Sequence, residues 1–140
     1  MRAKPSRSSI YKRDNNKCAL ISNKSNEKKI VYYEHNFSAV NSLILTSELK
    51  EVLNKEKVMI TKTFEELIEH NFDFLNIDLE GHDYEVLKNI NFDKYRPKLV
   101  CVEILEKSKD KNNIFKFLEN KGYVFIKKCE ISYFFENRLN

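Results

Sequence analysis

The sequence predicts an α/β fold with a mainly parallel sheet that ends in an antiparallel hairpin. Three observations predict it. Strand-like and helix-like patterns alternate through the second half of the chain. The run Lys98-Leu99-Val100-Cys101-Val102-Glu103-Ile104-Leu105 is nearly continuous in apolar residues, as in parallel strands buried on both faces. Two strand-like runs then follow Gly122 with no helix between them. At 140 residues the chain can bury one core but not comfortably two, so a basic tail over residues 1–16 and a single domain over 17–140 are expected.

Residues 1–16 are polar and aperiodic. Cys18-Ala19-Leu20-Ile21 is a short apolar run stopped by Ser22-Asn23-Lys24-Ser25-Asn26, and Lys29 to Glu34 holds Ile30-Val31-Tyr32-Tyr33, so two strands joined by a turn are expected. A polar loop, His35 to Asn41, precedes a weakly patterned helix over Leu43 to Leu53, and Lys57 to Thr63 reads as a strand through Val58 and Ile60. Phe64, Leu67 and Ile68 form the i, i+3, i+4 stripe of a short helix, with Thr63 as N-cap and Glu66 completing a capping box. Phe72 to Leu79 is a strand broken by Gly81. Asp83 to Ile90 is a helix with Val86, Leu87 and Ile90 on one face. Ile114, Phe115, Phe117 and Leu118 mark another helix, closed by Gly122. Tyr123 to Ile126 and Ile131 to Phe135 are the last two strands.

Composition excludes several functions. With 41% hydrophobic residues, ten Phe and seven Tyr, the chain carries enough apolar surface to order itself. No uninterrupted apolar run is long enough to cross a bilayer or to serve as a secretory signal, so no membrane partner and a cytoplasmic location are expected. Only two glycines are present, Gly81 and Gly122, which rules out a P-loop or a G-x-G-x-x-G turn within these residues. Residues 1–29 carry a net charge of +7 and the rest −3, but the basic end lacks a DNA-binding motif and has Tyr11 as its sole aromatic, so a solvated terminus is favoured over a nucleic-acid arm. Three widely spaced cysteines, Cys18, Cys101 and Cys129, make neither a disulfide framework nor a zinc site, and Cys101 reads as a buried reduced thiol.

The candidate chemistry lies in Ile77-Asp78-Leu79-Glu80-Gly81. Asp78 and Glu80, two apart at a strand end, project from one face if strand geometry persists, and Glu103 ends the next strand. Three such acids could hold a divalent cation, accept hydrogen bonds from a polyol, or take a proton as general base. Equally, Asp78 and Glu80 could satisfy backbone N–H groups around the Gly81 turn. His82 adjoins the cluster as a candidate proton relay or substrate contact, although exposed polar residues are ordinary at a helix start; His35 and His70 stand apart, and no metal-ligand spacing links the three. A nuclease of the D…E-x-K type would require a lysine at the position of Leu105.

The stretch from Thr63 to Ile104 resembles the FkbM-like family of S-adenosylmethionine-dependent methyltransferases. Thr63-Phe64-Glu65-Glu66-Leu67-Ile68 resembles the family's T-L-D-E-L-L helix start, with Glu65 in place of its aspartate. Phe72-Asp73-Phe74-Leu75-Asn76-Ile77-Asp78-Leu79-Glu80-Gly81 resembles its D-F-L-x-I-D-V-E-G strand and turn. Tyr84-Glu85-Val86-Leu87-Lys88 and the stretch from Lys94 to Glu103 continue in register, and Cys18 to Thr46 and Gly122-Tyr123 are similar less distinctively. The resemblance implies a partial Rossmann-like class I methyltransferase fold that starts after the family's glycine-rich loop and acidic second strand, the parts that contact the cofactor.

It further implies methyl transfer from S-adenosylmethionine to a hydroxyl, commonly of a sugar or a polyketide-type metabolite, with Asp78 and Glu80 near the acceptor, Glu103 supporting them, and most of the cofactor site missing. Such a chain would be inactive alone. The alternative is a non-catalytic remnant or a subunit that needs a homo-oligomeric or complementing chain, and a third reading is a carboxylate-dependent metal enzyme. The strand from Phe74 to Leu79, without its family neighbour, would expose an apolar sheet edge.

Overall fold

A computed structural model describes residues 17, 19–33, 41–42, 55–79 and 81–139. The expected tail over 1–16, the helix over Leu43 to Leu53, Cys18, His35 and Glu80 lie outside the described residues.

Two four-stranded sheets form. The first holds β1 (Leu20–Ile21), β2 (Lys28–Tyr33), β3 (Asn41–Ser42) and β4 (Lys55–Lys62) in the order β1-β4-β2-β3. The first two strands expected from the sequence are present, but they pair with β4 and not with each other: β1 runs parallel to β4, and β2 lies antiparallel to it from Lys28↔Ile60 to Tyr33↔Lys55. Thr61 explains the arrangement. Its buried hydroxyl donates to the Lys24 carbonyl (2.7 Å) and accepts from the Glu27 N–H (3.0 Å), so the polar turn is wrapped around the end of β4. One face of β2 and β4 buries Val31 and Thr61, while the other exposes Ile30, Val58 and Ile60.

Helix α1 (Phe64–Leu67) carries the expected capping box. The Glu66 N–H donates to Thr63 Oγ1 (3.4 Å) and the Thr63 N–H donates to the Glu66 carboxylate (2.7 Å). Ser25 Oγ also donates to that carboxylate (2.8 Å), tying α1 to the first sheet, and the Thr63 and Ser25 hydrogen bonds hold the Glu66 carboxyl below its ordinary pKa. Thr63→Ala should lower stability by about 1 kcal/mol in urea titration, the usual cost of a lost N-cap.

The second sheet contains β5 (Phe74–Ile77), β6 (Leu99–Glu103), β7 (Tyr123–Cys129) and β8 (Ser132–Asn137) in the order β5-β6-β8-β7. Helix α2 (Asp83–Lys88), helix α3 (Phe92–Tyr95) and helix α4 (Lys111–Asn120) connect them. The mainly parallel sheet expected from the sequence is not what the described pairings show: two are parallel (β1/β4 and β5/β6) and four antiparallel. The apolar run 99–105 does form an interior strand with Val100, Cys101 and Val102 buried, yet β8, its neighbour opposite β5, returns antiparallel. Apolar density reports burial on both faces and carries no information on strand direction.

The core is aromatic and aliphatic. Phe64, Phe72 and Tyr95 pack as a triad with ring centroids 5.5–5.9 Å apart. Phe92, Phe117, Tyr123 and Tyr84 form a second chain of edge contacts. The Tyr123 hydroxyl donates to the Pro97 carbonyl (2.7 Å), and burial pushes its pKa up to about 12. Gly122, at φ +85°, lets the chain leave α4 in the left-handed region, and its N–H donates to the Glu119 carbonyl (2.9 Å). Cys101 is a buried free thiol whose pKa is raised chiefly by burial. No helix among the described residues is long and apolar enough to cross a membrane.

Candidate functional site

The parallel register Phe74↔Leu99 to Ile77↔Val102 determines what meets at the sheet edge. One residue beyond the last pair stand Asp78, just past the end of β5, and Glu103, the last residue of β6, at the same carboxyl-terminal edge. Asp78 is exposed and Glu103 half-buried. The third sequence candidate, Glu80, lies outside the described residues.

A cleft of about 200 Å³ opens at this edge. Glu103, Lys107, Ser108 and Asp110 give it polar walls, and Tyr84, Leu105 and Ile114 give it apolar ones. Asp78 and His82 do not line it. His82 is half-buried at the N-cap position of α2, makes no side-chain capping bond, and lines a different hollow with Ile21, Lys29 and Glu85. The structure thus brings Asp78 and Glu103 to one edge and turns His82 toward the first sheet.

Sequence reasoning missed Asp83. It is 4% exposed, and its carboxylate accepts from the Leu79 N–H (3.0 Å) and the Gly81 N–H (3.1 Å). The task of satisfying backbone N–H groups around the turn, considered for Asp78 and Glu80, is performed by this residue. The available signal was an aspartate two residues beyond a glycine and at a helix start. Gly81 sits at φ +93° with nothing near a would-be Cβ, so the turn needs its backbone freedom and not its small size. Burial raises the Asp83 pKa, with Asp78 adding to the effect, against the lowering influence of its backbone hydrogen bonds.

Removing this carboxylate should be felt. Asp83→Ala leaves two N–H donors without their acceptor, and a loss of about 1–3 kcal/mol is expected in urea titration at neutral pH. The pH dependence has a definite sign. Because the folded pKa lies above the ordinary aspartate value, the group's favourable contribution is full below that ordinary value and falls as pH rises through the folded pKa. Asp83→Asn should remove that decline, as stability measurements across the acidic range would show.

The resulting arrangement is a small polar and apolar cup beside two carboxylates, suited to a ligand with a hydroxyl on a partly apolar frame: Glu103 can accept its hydrogen bond while Tyr84, Leu105 and Ile114 contact carbon. Among the described residues no group of three His, Cys, Asp or Glu side chains converges as metal ligands. In comparisons with known proteins, the family model described as Methyltransferase FkbM domain matches residues 4–125. No curated protein and no solved structure matches.

Proposed function

The chain belongs to the FkbM methyltransferase domain family, and from that premise we propose that it carries the acceptor side of an O-methyltransferase site. What supports this reading is the meeting of Asp78, just past β5, and Glu103, the end of β6, at one sheet edge, beside a cleft that Glu103 lines and that can seat a hydroxyl-bearing group. The acceptor hydroxyl binds with its hydrogen directed at a carboxylate, which orients the oxygen and takes the proton as the oxygen becomes a nucleophile. Sugars and polyketide-type metabolites are the substrate class.

Methyltransferases of this kind use S-adenosylmethionine. The residues present do not fit that group. Residues 1–80 contain no glycine to bring backbone N–H groups against it, and the Gly81 N–H is already bonded to Asp83. The groove beside β5 is lined by Phe64, Leu67, Phe74 and Leu75, and its acid, Glu69, is paired with Lys17. These 140 residues alone are therefore proposed to be inactive in methyl transfer.

A second reading, a subunit that completes its fold with a partner chain, is favoured by one observation. Strand β5 is an edge of its sheet, with Phe74 52% exposed and the groove running along it. Light scattering that gives a monomer from micromolar to millimolar concentration would exclude self-pairing through this edge.

The acceptor reading is tested by titrating simple sugars into the protein and following amide chemical shifts. Saturable shifts at Tyr84, Ser108 and Ile114 are expected. Glu103→Gln should weaken binding about tenfold, as expected for a lost hydrogen bond to a charged group, and Asp78→Asn, whose side chain stands beside the cleft without lining it, should weaken it less. Unchanged affinity in both variants would remove the carboxylates from the acceptor site.

A further inference from the structure

Lys111, Lys128 and Tyr133 do not line the cleft, although the start of α4 borders it, and these three side chains from three elements converge without serving the chemistry proposed above. Tyr133 on β8 is 3% exposed, and its hydroxyl is buried with no well-formed hydrogen bond, although the Lys111 and Lys128 ammonium groups lie close enough to act on it. Lys128, its partner across the β7/β8 pair, places Nζ 5.3 Å from the Tyr133 ring centroid; Lys111, the first residue of α4, places its own Nζ 5.2 Å from the same point. The nearby Glu106 carboxylate reaches Lys128 at 3.6 Å, but its side chain is 80% exposed, so it neutralises little.

Two ammonium groups drawn to one ring repel each other, and a buried hydroxyl without a well-formed hydrogen bond costs free energy. The start of α4 adds donors of the same kind. This ten-residue helix has Asp110 as N-cap, yet that carboxylate makes no capping bond and accepts from Asn113 Nδ2 instead (3.1 Å). The connection Lys107-Ser108-Lys109-Asp110-Lys111 contributes three cations against one acid. Apart from the exposed Glu106 carboxylate and Asp110, whose carboxylate accepts from Asn113, the groups assembled here are donors or positive charges, and an oxyanion answers them.

We infer that Lys111, Lys128, the Tyr133 hydroxyl and the first turn of α4 form a binding site for a phosphate group, free or as a monoester. A tetrahedral dianion matches two lysine charges, and its several oxygens can accept from the phenol and from first-turn N–H groups together. Lys128 is 39% exposed and Lys111 half-buried, so both ammonium groups can move from the ring onto an incoming oxyanion. The arrangement already acts on the phenol. Burial pushes the Tyr133 pKa up, but the two lysines outweigh burial and hold it below its ordinary value.

The competing account is a cation–π clamp in which the lysines merely cover the ring. Tyr133→Phe separates the two, because it keeps the ring and removes only the hydroxyl. The experiment is calorimetric titration of inorganic phosphate and of glucose 6-phosphate into the protein, with glucose as the control for the sugar cleft, chloride holding ionic strength constant and the amide shifts of Lys128 and Tyr133 followed in parallel. Saturable one-to-one binding is expected, weakened about tenfold by Tyr133→Phe and at least as much by Lys111→Met or Lys128→Met. Lys116→Met, which removes the same charge from an exposed position of α4, should leave it unchanged. Binding of both probes assigns the site to phosphate as a group; binding of the free anion alone makes inorganic phosphate the ligand. Absence of saturation, an unaltered Tyr133→Phe, or equal loss in Lys116→Met would overturn the site. Circular dichroism confirms that each variant is folded, and the two lysine variants alter side chains that reach solvent, so the test does not depend on Tyr133→Phe alone.

Discussion

Titration of S-adenosylmethionine into the purified 140-residue protein should give no one-to-one binding at micromolar concentration. The reasoning is one of missing donors. A cofactor of this type carries a sulfonium, a carboxylate and two ribose hydroxyls, and holding it needs backbone N–H groups brought close, an acid for the ribose and an apolar slot for adenine. The first requirement calls for glycines, and residues 1–80 have none. Gly81 has the open backbone conformation but spends its N–H on Asp83. Each missing hydrogen bond to a charged group removes roughly 1.5–3 kcal/mol, and a decade of affinity is about 1.4 kcal/mol. Two or three such losses weaken binding by roughly two to six decades. Micromolar one-to-one binding in the calorimeter would show that other residues of this chain build the site.

Much of the chain from Thr63 onward was legible in the sequence because local rules and tertiary packing agree there. The capping box at Thr63 and Glu66, the glycine exit from α4 and the buried run around Val100 each rest on interactions a few residues apart or on apolar density, and all three are present. Strand direction and strand partners were less legible. Neither the β1/β4 pair nor the antiparallel return of β8 beside β6 is encoded in the spacing of apolar residues. Helix α3, Phe92 to Tyr95, escaped notice because it lacks the capping box by which Thr63 and Glu66 mark the equally short α1.

The candidate site divides in the same way. Asp78 and Glu103 could be placed on one edge from two strand ends, since parallel neighbours finish together. Asp83 could not be told from an ordinary first-turn acid until its burial was known. The convergence of Lys111, Lys128 and Tyr133 depends on the β7/β8 register and the seat of α4, both long-range facts.

Phe135→Ala should destabilise the fold more than Thr63→Ala or Asp83→Ala. Phe135 is fully buried on β8, opposite Val100 of β6 and Phe125 of β7, with its ring centroid 5.0 Å from that of Phe115 and 5.7 Å from that of Phe125. It therefore joins α4 to the sheet. Truncation removes the apolar transfer energy of the ring and leaves a cavity that two strands and a helix cannot readily close, a combined cost of about 3–5 kcal/mol. Against a total stability of roughly 5–15 kcal/mol, this is a third or more in the middle of that range. With a urea m value of about 2 kcal/mol per M, the midpoint should fall by roughly 2 M. Phe125, 39% exposed on the edge strand, should cost less when truncated, because much of its surface already meets water. The double variant Phe115→Ala with Phe135→Ala should be less destabilised than the sum of the two, by about 0.5–1.5 kcal/mol, since the ring pair is lost only once. A cost below about 1 kcal/mol for Phe135→Ala would mean that this aromatic layer does not hold α4 on the sheet.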